Sequence, residues 1–350
     1  MGVHEHPLNP PLSSNLLHSL KSTLPYSVNL VYRIQHPNKT QHAHVLATFS
    51  PEESPIPECW VAAYFDNSMR PETDLWIFAA GEVPGHRGST SKGESEFCSL
   101  CKQLVLSLLD HISGLEVPPL RAENEFAIAL AKRHEEQYPE LGPNVKFAPS
   151  TGTYMRHLLL QKIVTLGAAH HQVVQICAEA GLVRDEFPSR DARLNKFFFR
   201  VADLTSVKEL PVGLRWGEMR PQDIPAVQAT TSIPRGTGTL LSLKSVGAFD
   251  ADDIPVCWTF LGLDGSLTTL YTDPKYRGKG LAKNVASKII RDYASQLAVD
   301  ERGNAWAHAD VYEGNVQSES VCKSLGGHAG AKIFWVRIDL TRAGALSNHQ

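Results

Sequence analysis

Residues 277–282 read Arg-Gly-Lys-Gly-Leu-Ala and lie between a predicted strand and a predicted helix. The strand, G-S-L-T-T-L-Y-T at 265–272, is rich in the threonine, leucine and tyrosine that suit a pleated sheet. Pro274 ends it, because proline has no backbone N–H to donate to the ladder. The helix is predicted from apolar residues that recur every four positions, namely Leu281, Val285, Ile289, Tyr293 and Leu297.

The turn between these elements has the chemistry of an anion site. Its two glycines let the backbone approach a ligand closely. Free N–H groups at the start of a helix, reinforced by nearby cations, favour a negatively charged group such as a pyrophosphate. The residues predicted to form this cradle are Arg277, Gly278, Lys279, Gly280, Leu281, Ala282 and Lys283.

The turn resembles Q/R-x-x-G-x-G/A, the acyl-CoA-binding signature of the GCN5-related N-acetyltransferase (GNAT) superfamily. P-V-C-W at 255–258, P-K-Y-R at 274–277 and N-V-Q-S-E-S-V-C-K-S-L-G-G at 315–327 extend the resemblance to the glycine N-acyltransferase branch. The likeness covers residues 214–340, and a weaker one begins at residue 16. It implies an α/β GNAT fold, a mixed and splayed sheet flanked by helices, and an acyl-CoA co-substrate.

The length of 350 residues predicts two domains rather than one. We expect a GNAT-like N-terminal domain with a helical middle region over 1–200, and a catalytic GNAT domain that binds acyl-CoA over 206–345. No R-x-x-G-x-A turn occurs in the first half, so we expect that domain to lack an acyl-CoA site.

The predicted elements of the first half are a helix followed by strands and then helices. Strands are predicted at about 28–36, 43–49, 58–65 and 73–80, and helices at 12–24, 96–113, 121–138, 151–166 and 169–181.

In the second half, strands are predicted at 214–219, 255–263, 266–272, 305–312 and 331–340, and a short helix at 315–325. Asp264-Gly265 is typical of a two-residue hairpin turn. The strand at 305–312 must return parallel to the one at 266–272. The resemblance implies that these two strands splay apart and that the pantetheine arm of CoA enters the gap.

The resemblance also implies which groups line the gap. Backbone groups of Leu270, Tyr271 and Thr272 would bind the pantetheine amides and polarise the thioester carbonyl. Asn315 and Ser318, one helical turn apart, would contact the arm from the other side. Alternatively, Asn315 only caps its helix and Ser318 is a surface residue.

The general base is not given by the family pattern. An attacking amine has a pKa near ~10 and must lose a proton, and the glycine N-acyltransferase branch carries a glutamate where this chain has Ser266. His308 is the best local substitute, because imidazole titrates near ~6.5. Asp310 lies two residues on, on the same face of the strand, and would orient it. The alternative is that His308 is a packed or hydrogen-bonded residue.

The general acid is equally open. Many superfamily members place a tyrosine where this chain has Cys322, and that tyrosine reprotonates the leaving thiolate. A cysteine with a pKa near ~8.5 is able to do so. Alternatively, Cys322 is a small buried helix residue and the thiolate takes its proton from water.

Composition excludes several classes of function. A formal net charge of -3 leaves no broad basic stripe, so we expect no nucleic-acid partner. No apolar run approaches the ~20 residues of a membrane span, and we expect no membrane partner. The first fifteen residues contain Glu5 and no arginine, which is unlike a transit peptide. We therefore expect a cytoplasmic protein.

Cys98 and Cys101 form a C-x-x-C on a predicted helix, a spacing used by zinc and redox sites. A zinc site needs two more ligands at suitable spacing, and none follows nearby in the sequence. We interpret the pair as ordinary helix cysteines and expect no metal.

The function predicted first is transfer of an acyl group from acetyl-CoA or another acyl-CoA to the amine of a small molecule or amino acid. One alternative is a CoA sensor or scaffold that has lost turnover through Ser266. Another is a protein N-acetyltransferase. The acyl length, the acceptor and the oligomeric state are not readable from the sequence.

Overall fold

The structure, a computed structural model, describes residues 2–8, 13–86, 96–122, 125–139, 155–156, 160–184, 192–231 and 235–343. The chain divides into two compact units. Unit 1 consists of Met1–Tyr26, Lys39–Arg193 and Lys332–Gln350, and unit 2 of Ser27–Asn38 and Leu194–Ala331. These units differ from the predicted domains over 1–200 and 206–345 mainly in two segments. Ser27–Asn38 belongs to unit 2, and the chain from Lys332 onward belongs to unit 1.

The helices of the described residues are α1 (Ser14–Ser22), α2 (Val28–Gln35), α3 (Ser99–Ser113), α4 (Glu125–Gln137), α5 (His171–Glu179), α6 (Ile224–Ala229), α7 (Thr237–Ser242), α8 (Leu281–Tyr293) and α9 (Val316–Ser324). The strands are β1 (His4–His6), β2 (His44–Ala47), β3 (Val61–Phe65), β4 (Leu75–Ala79), β5 (Ile163–His170), β6 (Val183–Arg184), β7 (Leu194–Arg200), β8 (Arg215–Gly217), β9 (Lys244–Phe249), β10 (Pro255–Leu261), β11 (Leu267–Thr272), β12 (Trp306–Tyr312) and β13 (His328–Asp339). Among the described residues, no helix has both the length and the apolar character that crossing a membrane requires.

Unit 1 contains a mixed sheet with helices against it. Strands β1 to β4 are neighbours in order and antiparallel. Strand β5 follows β4 in parallel, and the part of β13 in unit 1 pairs antiparallel with β5. Helix α3 packs against β3 and α5. Together the strands and these helices bury one apolar core, which supplies the main stabilisation of the unit.

Unit 2 contains two sets of strands. Strands β8, β9, β10 and β11 form an antiparallel sheet in that order, and helix α8 packs against three of them. Strand β12 pairs antiparallel with β7 along its whole length. The predicted two-residue turn at Asp264-Gly265 is wrong, since residues 262–266 separate β10 from β11.

Residues 28–36, predicted as a strand, form helix α2. The segment is rich in β-branched and aromatic residues, which favour a strand by intrinsic preference. Val28, Val31 and Tyr32 are each almost completely buried, and their spacing is that of one helix face. Burial of that face therefore overrides the local preference.

Residues 163–166, predicted as the end of a helix over 151–166, lie in strand β5. This strand is buried along its whole length, and a short apolar run buried on both faces does not reveal by periodicity whether it is helix or strand. Most of the remainder of that predicted helix lies outside the described residues. The predicted helix over 169–181 is confirmed as α5, although it begins only at His171.

Helix α2 is held in unit 2 through Tyr32 and the hairpin loop. The Tyr32 hydroxyl donates to the carbonyl oxygen of Ala294 at 3.0 Å. Gly265 has a φ of +78°, and a Cβ at that position would lie 2.3 Å from the Tyr32 ring. Glycine is thus required at position 265 for two reasons, the left-handed backbone conformation and the close packing of Tyr32.

Gly265→Ala is expected to lower the free energy of unfolding by about 2–5 kcal/mol. The left-handed conformation costs alanine about 1–2 kcal/mol, and the clash with Tyr32 adds about 1–3 kcal/mol. Gly303→Ala is the matched control, because Gly303 has a φ of +81° but a Cβ there would meet nothing within 4 Å. Equal losses in the two variants, measured by chemical denaturation, would contradict the packing of α2 against this loop.

Candidate functional site

The open edge of strand β11 defines the candidate site. One edge of β11 pairs with β10. On its other edge, the pairing found among the described residues is a single parallel bridge between Ser266 and His308. Strand β12 continues from His308 as the partner of β7. The parallel approach of the two strands is therefore as predicted, and beyond that bridge none of the described strands pairs with this edge of β11.

A β-bulge lies in the middle of the open strand. Trp258 faces Tyr271 and Phe260 faces Thr268, so one residue of β10 is opposite two of β11. Thr269 has a φ of +49°, which is an unusual conformation for a β-branched residue. Such strain concentrates at functional sites. The bulge removes Thr269 and Leu270 from the regular ladder, and their backbone groups become available to a ligand.

The rest of β11 is positioned by packing on its neighbour. Tyr271 stacks on Trp258 with ring centroids 4.6 Å apart, and Thr272 lies opposite Cys257. Leu270, Tyr271 and Thr272 are each half-buried. They form one continuous edge that leads from the bulge to the glycine-rich turn.

The turn after β11 presents the start of helix α8. Asp273 accepts a hydrogen bond from the backbone N–H of Lys275 and opens a short 3-10 turn. Gly280 is the N-cap residue with a φ of +76° and no side-chain cap, and Gly278 has the same φ. A Cβ at either glycine would meet nothing within 4 Å. The glycines are therefore required by backbone conformation, and the space beside the uncapped N–H groups is open.

The charge at this helix start is positive. Arg277 is exposed, and its Nε donates to the carbonyl oxygen of Thr272 at 3.1 Å. Lys279 Nζ lies 5.1 Å from the centre of the Tyr276 ring. The first turn of α8 contains Lys283 and Ala282 but no acidic residue, and Leu281 is buried and anchors the helix. The helix dipole and the cations therefore act in the same direction on a bound anion.

His308 is enclosed in a buried polar network. It is fully buried, and its Nε2 donates to the carbonyl oxygen of Asp264 at 2.9 Å. Its Nδ1 lies 3.4 Å from Lys196 Nζ and 3.6 Å from Asp310 Oδ1. Lys196 Nζ also donates to Asp310 Oδ1 at 3.0 Å and to Asn29 Oδ1 at 2.7 Å. The predicted pair of His308 and Asp310 is thus brought together, with a lysine beside it that the sequence did not reveal.

Two pKa shifts describe the electrostatics of this network. Burial alone would raise the pKa of Asp310, but the charges of Lys196 and His308 outweigh it and lower the pKa to about 2. Burial raises the pKa of the Cys322 thiol to about 12. A thiol with so high a pKa gives its proton only uphill to a CoA thiolate, whose pKa resembles the ~8.5 of free cysteine.

Asn315 and Ser318 lie at the start of α9. The Asn315 side chain accepts a hydrogen bond from the backbone N–H of Ser318 at 3.1 Å, so its capping role is present. Any contact of either residue with a CoA arm stays a prediction.

A carboxylate that the sequence did not single out lies against Ser266. Asp264 is 5% exposed, and its Oδ1 accepts from the Ser266 hydroxyl at 2.7 Å. Its Oδ2 accepts from Asn29 Nδ2 at 3.0 Å. The only sequence signal for this contact is the spacing of Asp264 and Ser266 across a hairpin loop.

Comparison with known proteins gives the class. The family profile described as "Acyl-CoA N-acyltransferase verG N-terminal domain" matches residues 1–197. A second profile, described as "FR47-like protein", matches residues 245–336. The fold is that of the GNAT superfamily, in a two-domain arrangement. Because the first match covers more than half of the chain, this protein belongs to that acyl-CoA N-acyltransferase family.

Several solved structures are similar to this chain, and one of them, with a TM-score of 0.55, supports the fold. A protein from Drosophila has 12% identity, a TM-score of 0.55, and coverage of 96% of this chain and 98% of that chain. A tandem GNAT protein from the clavulanic acid biosynthesis pathway has 10% identity, a TM-score of 0.45 and coverage of 97% and 98%. A GCN5-related N-acetyltransferase from Sphaerobacter thermophilus has 11% identity, a TM-score of 0.44 and coverage of 97% and 96%. No curated protein sequence matches this chain.

Lys196→Met is expected to lower the free energy of unfolding by about 3 kcal/mol or more at pH 7, because it removes the lysine that pairs with the buried Asp310 carboxylate. The loss should shrink as the pH falls towards 4. Without the lysine, burial raises the pKa of Asp310, and its protonation then stabilises the fold. The control is Lys288→Met, whose surface ion pair with Asp292 is worth about 0.5 kcal/mol. A pH-independent loss, measured by denaturation, would contradict the pairing.

Proposed function

We propose that this protein transfers an acyl group from acyl-CoA to the amine of a small molecule or amino acid, with the glycine N-acyltransferase-like branch as its nearest resemblance. The observation that carries the proposal is the open edge of β11, which contains a bulge and leads directly into an uncapped, cationic helix start. An extended arm that contains amides fits the open edge of β11, and a pyrophosphate at one end of that arm fits the start of α8. We place one acyl-CoA site on each chain, in unit 2.

In the proposed complex, the pyrophosphate is held by the N–H groups and cations of Arg277 to Lys283. The pantetheine amides bond to the backbone of Leu270, Tyr271 and Thr272, as a neighbouring strand would. The thioester carbonyl then lies near the bulge, where backbone N–H groups can stabilise the oxyanion. Asn315 and Ser318 contact the arm from α9.

The reaction itself needs little covalent chemistry from the protein. The neutral amine attacks the thioester carbon, a C–N bond forms, and the C–S bond breaks as the tetrahedral intermediate collapses. One proton leaves the nitrogen, and one proton is taken up by the CoA thiolate. The enzyme must hold the two substrates in line and provide a path for the first proton.

We propose His308 as the base, oriented by Asp310, and Cys322 as the group nearest to the acid position. His308 would take the proton at Nδ1, which requires Lys196 to keep its bonds with Asp310 and Asn29 and release the ring. The buried carboxylate of Asp264 is a second candidate. It would receive the proton through the Ser266 hydroxyl, to which it is already hydrogen-bonded. The high pKa of Cys322 favours water as the acid.

A CoA sensor without turnover is the second candidate function. It is favoured by Ser266 at the position of the family glutamate and by the engagement of both ring nitrogens of His308. Release of free CoA thiol, followed with acetyl-CoA across a panel of amines, amino acids and peptides, separates the two functions. Release of CoA thiol that depends on one class of acceptor supports the transferase and identifies that class. Binding of CoA with no thiol release in the presence of any acceptor supports the sensor. We place either function in the cytoplasm, consistent with six free cysteines.

Arg277→Glu is expected to weaken binding of acetyl-CoA about 10- to 100-fold, because it replaces a charge-assisted contact with a repulsive one. Titration calorimetry gives the dissociation constant directly. Arg302→Glu is the control, since it makes the same charge reversal at an exposed turn of unit 2. Equal affinity in wild type and Arg277→Glu would remove the helix start from the proposed site.

The base is tested by comparing His308→Gln with Asp264→Asn. If His308 is the base, His308→Gln lowers kcat about 100-fold and abolishes the acid limb of the pH profile of kcat. Asp264→Asn then changes kcat little. The opposite result would transfer the role to Asp264. Calorimetric affinity for CoA is measured in both variants, so that loss of the base is separated from a change in the geometry of the gap.

A further inference from the structure

Four side chains with metal-binding atoms converge in unit 1. Cys59 lies just before β3, His86 follows β4, and Cys98 and Cys101 lie at the start of α3. The sulfur and ring nitrogen atoms of these residues all lie within 4.8 Å of one another. Two further ligands therefore do lie beside the C-x-x-C pair, although they come before it in the sequence rather than after it.

Three of the distances between ligand atoms are close to those of a tetrahedral zinc site. Cys59 Sγ lies 3.5 Å from Cys98 Sγ, and His86 Nε2 lies 3.3 Å from both Cys59 Sγ and Cys101 Sγ. In a tetrahedral zinc site, bonds of about 2.3 Å to sulfur and 2.0–2.1 Å to nitrogen place sulfur atoms about 3.8 Å apart, and sulfur and nitrogen about 3.6 Å apart. These three contacts would need to lengthen by only a few tenths of an ångström to hold the ion, and all the ligand atoms already lie within 4.8 Å of one another.

The backbone around the cluster also suits a bound cation with thiolate ligands. Cys98 is the N-cap residue of α3, and its Sγ accepts a hydrogen bond from the backbone N–H of Cys101 at 3.4 Å. The positive end of a helix stabilises thiolates. Three thiolates and one neutral imidazole around Zn²⁺ carry a net charge of about -1, and the helix start partly compensates it. Cys59 and Cys101 are buried, while His86 and Cys98 are half-buried.

We propose that Cys59, His86, Cys98 and Cys101 bind one zinc ion. Cys3His is a ligand set that zinc uses in structural sites, and soft sulfur ligands exclude magnesium and calcium. All four coordination positions are filled by protein atoms, so the ion has no place for a substrate or a reactive water. Its role is to fasten the start of α3 to the chain before β3 and after β4.

The cluster, like the glycine-rich turn of unit 2, lies at the start of a helix that follows a strand. In unit 2, the chain passes from β11 through the turn into α8, whose first N–H groups have no side-chain cap. In unit 1, the chain passes from β4 into α3, whose start is capped by Cys98. A zinc site there uses the helix start for a structural purpose. That assignment agrees with the proposed absence of acyl-CoA binding from unit 1, but does not depend on the proposed function.

The test begins with the metal content of the full-length protein. We expect about one zinc per chain by elemental analysis after purification without chelators, or after reconstitution with zinc under reducing conditions. Replacement of zinc by Co²⁺ should give the visible absorption of a tetrahedral site with sulfur ligands. Absence of bound metal after both treatments would overturn the proposal, as would a Cys59–Cys98 disulfide found under reducing purification by mass spectrometry.

Matched variants test the assignment of the ligands. Cys101 and Cys177 are both completely buried helix cysteines of unit 1, so Cys101→Ala should lose the metal and Cys177→Ala should keep it. Cys98→Ser keeps a hydroxyl for the helix cap but removes the thiolate, and it should also lose zinc. His86→Gln removes a ligand at a half-buried position, and it should also lose zinc. It tests the site even if Cys101→Ala fails to fold. Equal zinc content in Cys98→Ser, His86→Gln and wild type would exclude the site.

Stability supplies a readout that is independent of activity. A chelator should lower the midpoint of thermal unfolding of the wild type and of Cys177→Ala, and it should leave that of Cys98→Ser unchanged. A chelator effect of the same size in Cys98→Ser would show that the metal binds elsewhere.

Discussion

The hydrogen bond from His308 to the carbonyl oxygen of Asp264 is the constraint on which the site of unit 2 depends. It lies where β12 approaches the start of β11, beside the parallel bridge of Ser266 and His308. Lys196 and Asp310 lie at the other nitrogen of the His308 ring. Both ring nitrogens of this buried histidine therefore have polar partners. The strands are closed at this end, and the remaining edge of β11 is left open. The imidazole of His308, which the sequence suggests as a general base, thus also holds β12 against the start of β11.

The parts of the fold that the sequence predicted are those governed by local rules. The strand, proline, glycine turn and amphipathic helix predicted from 265 to 297 combine several independent signals, and the structure has each of them, although the strand begins at Leu267 and the helix ends at Tyr293. Strand and helix were confused in α2 and β5, where burial on both faces or β-branched composition hides the period. The bulge at Thr269 has no sequence signal, because its left-handed φ depends on the pairing of β11 with β10.

Contacts between distant residues were the least predictable part of both sites. The position of Lys196 next to Asp310 follows from the pairing of β7 with β12, which no local pattern reveals. Cys59 and His86 join the C-x-x-C pair because β3, β4 and α3 pack together. Both candidate sites include the start of a helix that follows a strand. In unit 2 that start is glycine-rich and open, whereas in unit 1 it is closed by cysteine.

The central claim is that acyl-CoA binds along β11 and the helix start of unit 2. Hydrogen–deuterium exchange of the full chain, with and without acetyl-CoA, tests it most directly because it reports on each backbone segment. Bound acetyl-CoA should slow exchange over residues 267–283 and should leave exchange over β4 and the start of α3 unchanged. Protection confined to unit 1, or unchanged exchange over 267–283 at saturating acetyl-CoA, would contradict it.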